Sequence, residues 1–186
     1  GDNCSKLDVA SGAKALYLTG KSLERKKMWA AAAKAYEKIP SLYPTHSMAD
    51  DGYALAGIGW QESGDVERAM KSWEQQVKEY PTGDLVGEGY WRLAWNAFRN
   101  GNTEQAISWA TMAKEAVPAS GHQYQYFAFY YWDARWRIWP NWDEPSKQNP
   151  EEEQVRQGIA LFKELVINHP TRFYSLLAAQ RLYELE

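Results

Sequence analysis

The sequence predicts an all-α protein built from repeated antiparallel helix pairs, and three spacings carry that prediction. Proline falls at Pro44, Pro81 and Pro118, a period of 37, each after an apolar residue (Tyr43, Tyr80, Val117). Gly64 and Gly101 keep the same period, as do Ala32, Ala69 and Ala106. The segments GYALAGIGWQESGDVERAMKSWEQQVKEYP and GYWRLAWNAFRNGNTEQAISWATMAKEAVP align without a gap. Self-similarity at a fixed period of this size marks stacked supersecondary units.

Each period holds two helices. The first of the pair is expected at about 49–62, 85–99 and 123–138, and the second at about 28–38, 66–79 and 104–116. Tyr53, Ala56, Gly57 and Trp60 stand at i, i+3, i+4 and i+7, one helical face. Small Ala56 and Gly57 admit a close partner, and Ala69 with Trp73 on the following helix faces back, small against large. Gly64 suits the left-handed residue that ends a helix, and Asp65 can cap the next. Gly101 and Asn102 repeat that punctuation.

The reading is one helical-repeat domain over 1–186, with units at about 10–44, 47–81, 84–118 and 122–170 and a final helix at 171–186. The earliest unit is weaker, with Leu16, Thr19, Gly20 and Leu23 leading to Ala32, Tyr36 and Pro44. In the fourth, Pro170 comes fifty-two residues after Pro118, which implies an insertion of fifteen. The polar, Pro-rich loop 139–150 accounts for it. A helix should follow, with Asn149 as N-cap, Pro150 at its first position and Glu151 to Glu153 on the positive end of the dipole. Gly158 and Phe162 then repeat the Ala69–Trp73 step.

These residues resemble the tetratricopeptide repeat. Its aromatic-x2-Leu/Ala-Gly-x2-aromatic, Ala-x3-aromatic and Pro pattern stands here as Tyr53, Ala56, Gly57, Trp60, Ala69, Trp73 and Pro81. The period of 37 departs from the usual ~34. The resemblance implies a right-handed superhelix of antiparallel helix pairs and a role in holding protein segments.

A second resemblance is to the helical arm of soluble lytic transglycosylases, over roughly 50–186. It rests on YWRLAWNAFRNGN, YYWDARWRI and NHPTRFYSLLAAQRLYELE, with Ser175 where that family commonly has Gly. It implies a non-catalytic arm acting in peptidoglycan (murein) turnover, positioning a glycan strand or an attached lysozyme-like domain. The implied location is periplasmic or associated with the outer membrane. The dipeptide Glu62-Ser63 matches that family's catalytic acid, but no Gly-Leu-Met-Gln pattern follows. Glu62 beside the helix-ending Gly64 therefore reads as a solvated helix-end carboxylate. A catalytic acid needs apolar burial to raise its pKa. The alternative from a different class is a tetratricopeptide scaffold for protein–protein interactions in the bacterial envelope.

Composition narrows the field further. A net charge of −3 offers no electrostatic grip on nucleic acid, and no ~18-residue apolar run suggests a transmembrane segment. No signal peptide is visible. The single Cys4 excludes an internal disulfide, and the GDNC context lacks the small apolar residues that precede a lipid-attachment cysteine. His46, His122 and His169 are scattered near turns, and no ligand spacing or phosphate-cradling loop occurs, so no catalytic, cofactor or metal residues are assigned.

Tyr53, Trp60, Trp73, Tyr90, Trp91, Phe127 and Phe162 follow the repeat and read as core. Trp136, Trp139 and Trp142 lie around the interrupted helix end instead. They could stack on sugar rings beside Arg137, Asp143 and Glu144, or tuck under the loop and anchor it. The last helix, 171–186, leaves Leu176, Leu177, Leu182 and Leu185 wanting cover from a missing C-terminal domain or another copy.

Overall fold

A computed structural model describes residues 2–117, 123–140 and 150–185, and Pro118, His122 and the expected cap Asn149 lie outside them. Its helices are α1 (Asp2–Arg25), α2 (Trp29–Leu42), α3 (Ala49–Glu62), α4 (Val66–Glu79), α5 (Val86–Arg99), α6 (Thr103–Ala116), α7 (Gln123–Ile138), α8 (Glu152–Asn168) and α9 (Phe173–Glu184). No strand occurs among the described residues, and the fold class is an all-α helical repeat. The chain forms two compact units, 1–89 and 90–186, and the division falls inside α5.

In the first unit, adjacent helices pair α1 to α2, α2 to α3 and α3 to α4. The pairing depends on glycine meeting a large ring. A Cβ added at Gly57 would lie 2.2 Å from Trp73 Nε1, and one at Gly20 would lie 2.3 Å from the Tyr36 ring. Gly20 and Gly57 are one period apart, as are Tyr36 and Trp73, and both rings are sealed from solvent. The Trp73 ring reaches the α3 backbone, where its Nε1–H donates to Ala54 O at 3.3 Å. A buried aromatic of this size is worth ~3–5 kcal/mol when truncated.

Helix punctuation repeats as closely as packing does. The Gly64 and Gly101 amides donate to Gln61 O and Phe98 O at 3.0 and 2.9 Å, and the next amides, Asp65 and Asn102, reach back to Trp60 O and Ala97 O. Both glycines hold the expected positive φ, +86° and +78°. The Asp65 and Asn102 side chains accept from the amides of Arg68 and Gln105, as expected of caps. The α1–α2 turn has the same form: Lys27 donates to Glu24 O and Met28 to Leu23 O. Lys27, one period before Gly64, is the one non-glycine with positive φ (57°) among the described residues. Met28 stands where Asp65 and Asn102 stand and makes no side-chain cap.

Two helix ends depart from expectation. Helix α2 was expected to stop at Lys38 but runs to Leu42 with Pro40 inside its last turn. There the missing N–H costs one bond only, because the Tyr43 amide still closes on Ile39 O at 2.8 Å. Helix α8 starts at Glu152, so Pro150 precedes the helix rather than opening it, and Glu151 at the N-cap position makes no side-chain bond.

The second unit pairs α6 with α7, α7 with α8 and α8 with α9. Its core gathers Phe127, Tyr131, Ile138, Phe162, Leu165 and Tyr174. Ala94 and Ala110 stand one period after Gly57 and Trp73 and are both fully buried, small against small. Bulk arrives instead from α7, through Trp132 and Trp136 against Trp95 and Phe98. Asp133, wholly buried, is held by Lys114 and Arg137 at 2.5 and 2.6 Å, which ties α6 to α7. Two cations and the Thr111 hydroxyl at 3.5 Å surround it, so the buried carboxylate is compensated.

The left-handed cost at Lys27 and the missing cap at Met28 define a repair. Replacing Lys27 by Gly removes ~1 kcal/mol of backbone strain, and Met28→Asp adds a cap worth about the same. Urea denaturation should place the double variant ~1–2 kcal/mol above wild type. Unchanged stability would mean that the α1–α2 turn is not built as the α3–α4 turn is.

Candidate functional site

An open cleft of the first unit lies over α3, between α2 and α4. Lys34 and Glu37 on α2, Tyr53 and Trp60 on α3, and Arg68, Lys71, Ser72 and Gln75 on α4 enclose about 380 Å³. The repeat creates it, because helices flanking a common neighbour leave a furrow between their outward side chains. Trp60 Nε1–H donates to Glu37 Oε1 at 2.6 Å, and the Ser72 hydroxyl reaches the same oxygen at 3.5 Å. The Arg68 guanidinium lies 4.7 Å from the Trp60 ring centroid and 3.3 Å from Asp65, the cap of its own helix. Stacked cations over an indole are worth ~0.5–1 kcal/mol at exposed sites.

Charge in the cleft is unequal. Glu37 is consumed by Trp60 and Ser72, whereas Lys34, Arg68 and Lys71 are exposed at the rim. At its other end, the Tyr53 hydroxyl donates to Glu79 at 3.3 Å, and its ring leans on Tyr80. Burial, then the Glu79 charge beside it, pushes the Tyr53 phenol up to about 12. A cationic rim beside the half-buried Tyr53, with Trp60 sealed beneath Arg68, suits an extended segment bearing carboxylates.

Of the tryptophans singled out as sugar-stacking or loop-anchoring candidates, Trp136 is only 1% exposed and stacks on Phe98 at 5.2 Å, turned inward rather than toward solvent. It sits at the base of a cleft of about 370 Å³ with Thr103, Glu104, Arg137 and Gln154, yet shows it almost no surface. The physical reason is that α7 carries aromatics on several faces, and the one toward α5 turns inward. Trp139 is half-buried under the Arg135 guanidinium, 4.9 Å from its centroid, and leans on Phe162. Trp142 lies outside the described residues. Pro140, which opens the inserted loop, is fixed to α6 by the Thr103 hydroxyl at 2.8 Å.

A different aromatic group was missed. Trp91, expected in the core, is half-buried and stacks nearly parallel on Trp95 (5.6 Å, 13°), while Trp132 meets Trp95 edge-on at 5.0 Å. Trp95 and Trp132 are one period apart, and that was the signal available in the sequence.

The remaining assignments fall out simply. Glu62 is exposed at the last position of α3. His46 accepts from the Met48 amide through Nδ1, and His169 packs on Phe127. On α9, Leu177 and Leu182 pack on the second unit's core, so the uncovered face is narrower than expected, led by Phe173, Leu176 and Tyr183. No helix among the described residues is long and apolar enough to cross a membrane.

The Tyr53 environment predicts a pH dependence. A phenol raised above its ordinary ~10 favours the protonated, folded form, so its contribution is complete below pH ~10 and is lost as pH rises toward 12. The stability gap between wild type and Tyr53→Phe, followed by urea denaturation, should therefore shrink across that window. A constant gap would show that Tyr53 does not titrate there.

The tetratricopeptide repeat family profile matches residues 14–46, which span the second half of α1, all of α2 and the turn after it. No curated protein matches the sequence significantly.

Proposed function

We propose that the chain is a tetratricopeptide-like scaffold that mediates protein–protein interactions by holding an extended, acidic segment of a partner in the cleft over α3. The observation that carries this reading is the cleft itself, where Lys34, Arg68 and Lys71 rim the half-buried Tyr53 and a Trp60 that Arg68 covers. The match to a repeat family supports it, because such repeats bind by their stacked surfaces rather than by chemistry. Affinity would come from paired carboxylates and from an apolar side chain displacing Arg68 from the Trp60 ring. A location in the bacterial envelope, periplasmic or at the outer membrane, is part of the proposal.

A second reading keeps the lytic-transglycosylase resemblance, with the chain as a non-catalytic arm that positions a murein glycan strand. Trp91, Trp95 and Trp132 favour it, since half-buried indoles present the flat apolar faces on which sugar rings stack.

Peptides selected by phage display on the immobilised chain separate the two. The proposal expects Asp- and Glu-rich winners whose affinity falls at least tenfold in Arg68→Glu/Lys71→Glu, about 1.4 kcal/mol. Peptides indifferent to both substitutions would overturn it. Retention on purified sacculi that is lost in Trp95→Ala would establish the second reading.

A further inference from the structure

The first unit contains a cluster of carboxylates for which the cleft has no use. Asp50 and Asp51 open α3, and Asp84 lies in the turn between α4 and α5, and one carboxylate oxygen from each falls within 4.8 Å of the others. Asp50 is 6% exposed, and no hydrogen-bond donor among the described residues reaches its Oδ2. That oxygen faces the turn carrying Asp84, close enough that a Cβ at Gly83 would stand 2.5 Å away.

An unpaired buried carboxylate is costly, and a like charge beside it adds to the cost. Lys21, a cation that acts on Asp51, is already bonded to Glu24 at 3.0 Å. Positive charge placed against the Oδ2 that lacks a donor, with two further carboxylates beside it, would be stabilised there.

We propose that Asp50, Asp51 and Asp84 bind a divalent cation, with calcium preferred. Calcium takes oxygen ligands at ~2.3–2.6 Å in irregular sets, and three carboxylate oxygens within 4.8 Å of one another stand near enough to converge on one ion by small side-chain rotations. Magnesium demands near-octahedral order and gives up its water reluctantly, which makes calcium the better match to carboxylates from two elements. Asp50 is the buried anchor, whereas Asp51 is half-buried and Asp84 exposed, which leaves a path for entry and room for water ligands. The adjoining cleft of about 270 Å³ is lined by oxygen donors including Thr45, Ser47, Thr82 and Glu79, a hard-ligand setting. The ion would clamp the start of α3 to the α4–α5 turn, fixing one repeat against the next within the unit. None of the three carboxylates lines the peptide cleft, although Glu79 stands between the two places.

The test is thermal melting and calorimetry of the whole chain with calcium chloride at pH 7.5, with magnesium chloride as comparison. Calcium at ~10 mM, about tenfold above the ~1 mM affinity of open extracellular sites, should raise Tm by ~3–6 °C and show one binding event. Exposed Asp84→Asn should fold normally and lose both. Asp50→Asn should melt higher than wild type without calcium and gain nothing from it. No binding heat and no Tm change with calcium, or a shift retained in Asp84→Asn, would overturn the site. So would stability that rises on acidification while calcium changes nothing, which would assign the missing positive charge to a proton.

Discussion

The structure depends on one packing constraint, the meeting of a glycine on one helix with a large ring on the next. At Gly57 the Trp73 ring lies where any side chain would stand, and at Gly20 the Tyr36 ring does the same. Helices this close exclude water along their length, which is how a 14-residue helix such as α3, too short to persist alone, is stabilised. Turns then have little freedom. Gly64 with Asp65 and Gly101 with Asn102 reverse the chain in the same few residues, and Lys27 is drawn into the same left-handed conformation against its preference.

The second unit meets the same demand by another route. With Ala94 and Ala110 where glycine and tryptophan stood, the ring is supplied from the following helix, and Trp95, Phe98, Trp132 and Trp136 form a slab between α5 and α7. The slab seals Trp136 while leaving Trp91, Trp95 and Trp132 half open. Buried Asp133, bracketed by Lys114 and Arg137, fixes the rotation of α7 against α6. Aromatic excess here is therefore mostly architecture, and only its outer edge is available for recognition.

What the sequence discloses is what local chemistry decides. Helices α3, α4 and α7 begin and end where periodicity and punctuation put them, and Asp65 and Asn102 cap as their positions imply. The burial of Trp136 was not legible, because α7 is aromatic on more than one face and period alone cannot say which turns inward. Nor was the meeting of Asp50 and Asp51 with Asp84, which depends on how the α4–α5 turn settles over the start of α3. The Glu37–Trp60 bond behind the cleft joins residues 23 apart on neighbouring helices, and only the packed pair reveals it. Short-range signals fix elements, and sites arise where elements meet.

A double-mutant cycle on Gly57→Ala and Trp73→Ala tests the central claim most directly, because together they recreate the alanine pair of the next repeat. Alone, the first should cost ~1–3 kcal/mol by overpacking and the second ~3–5 kcal/mol by opening a cavity. If ring and glycine are complementary, the added methyl no longer clashes once the ring is gone. The double variant should then lie at least ~1 kcal/mol above the sum of the singles. Strict additivity would mean that the two helices do not depend on that contact, and the account of the fold would fail with it.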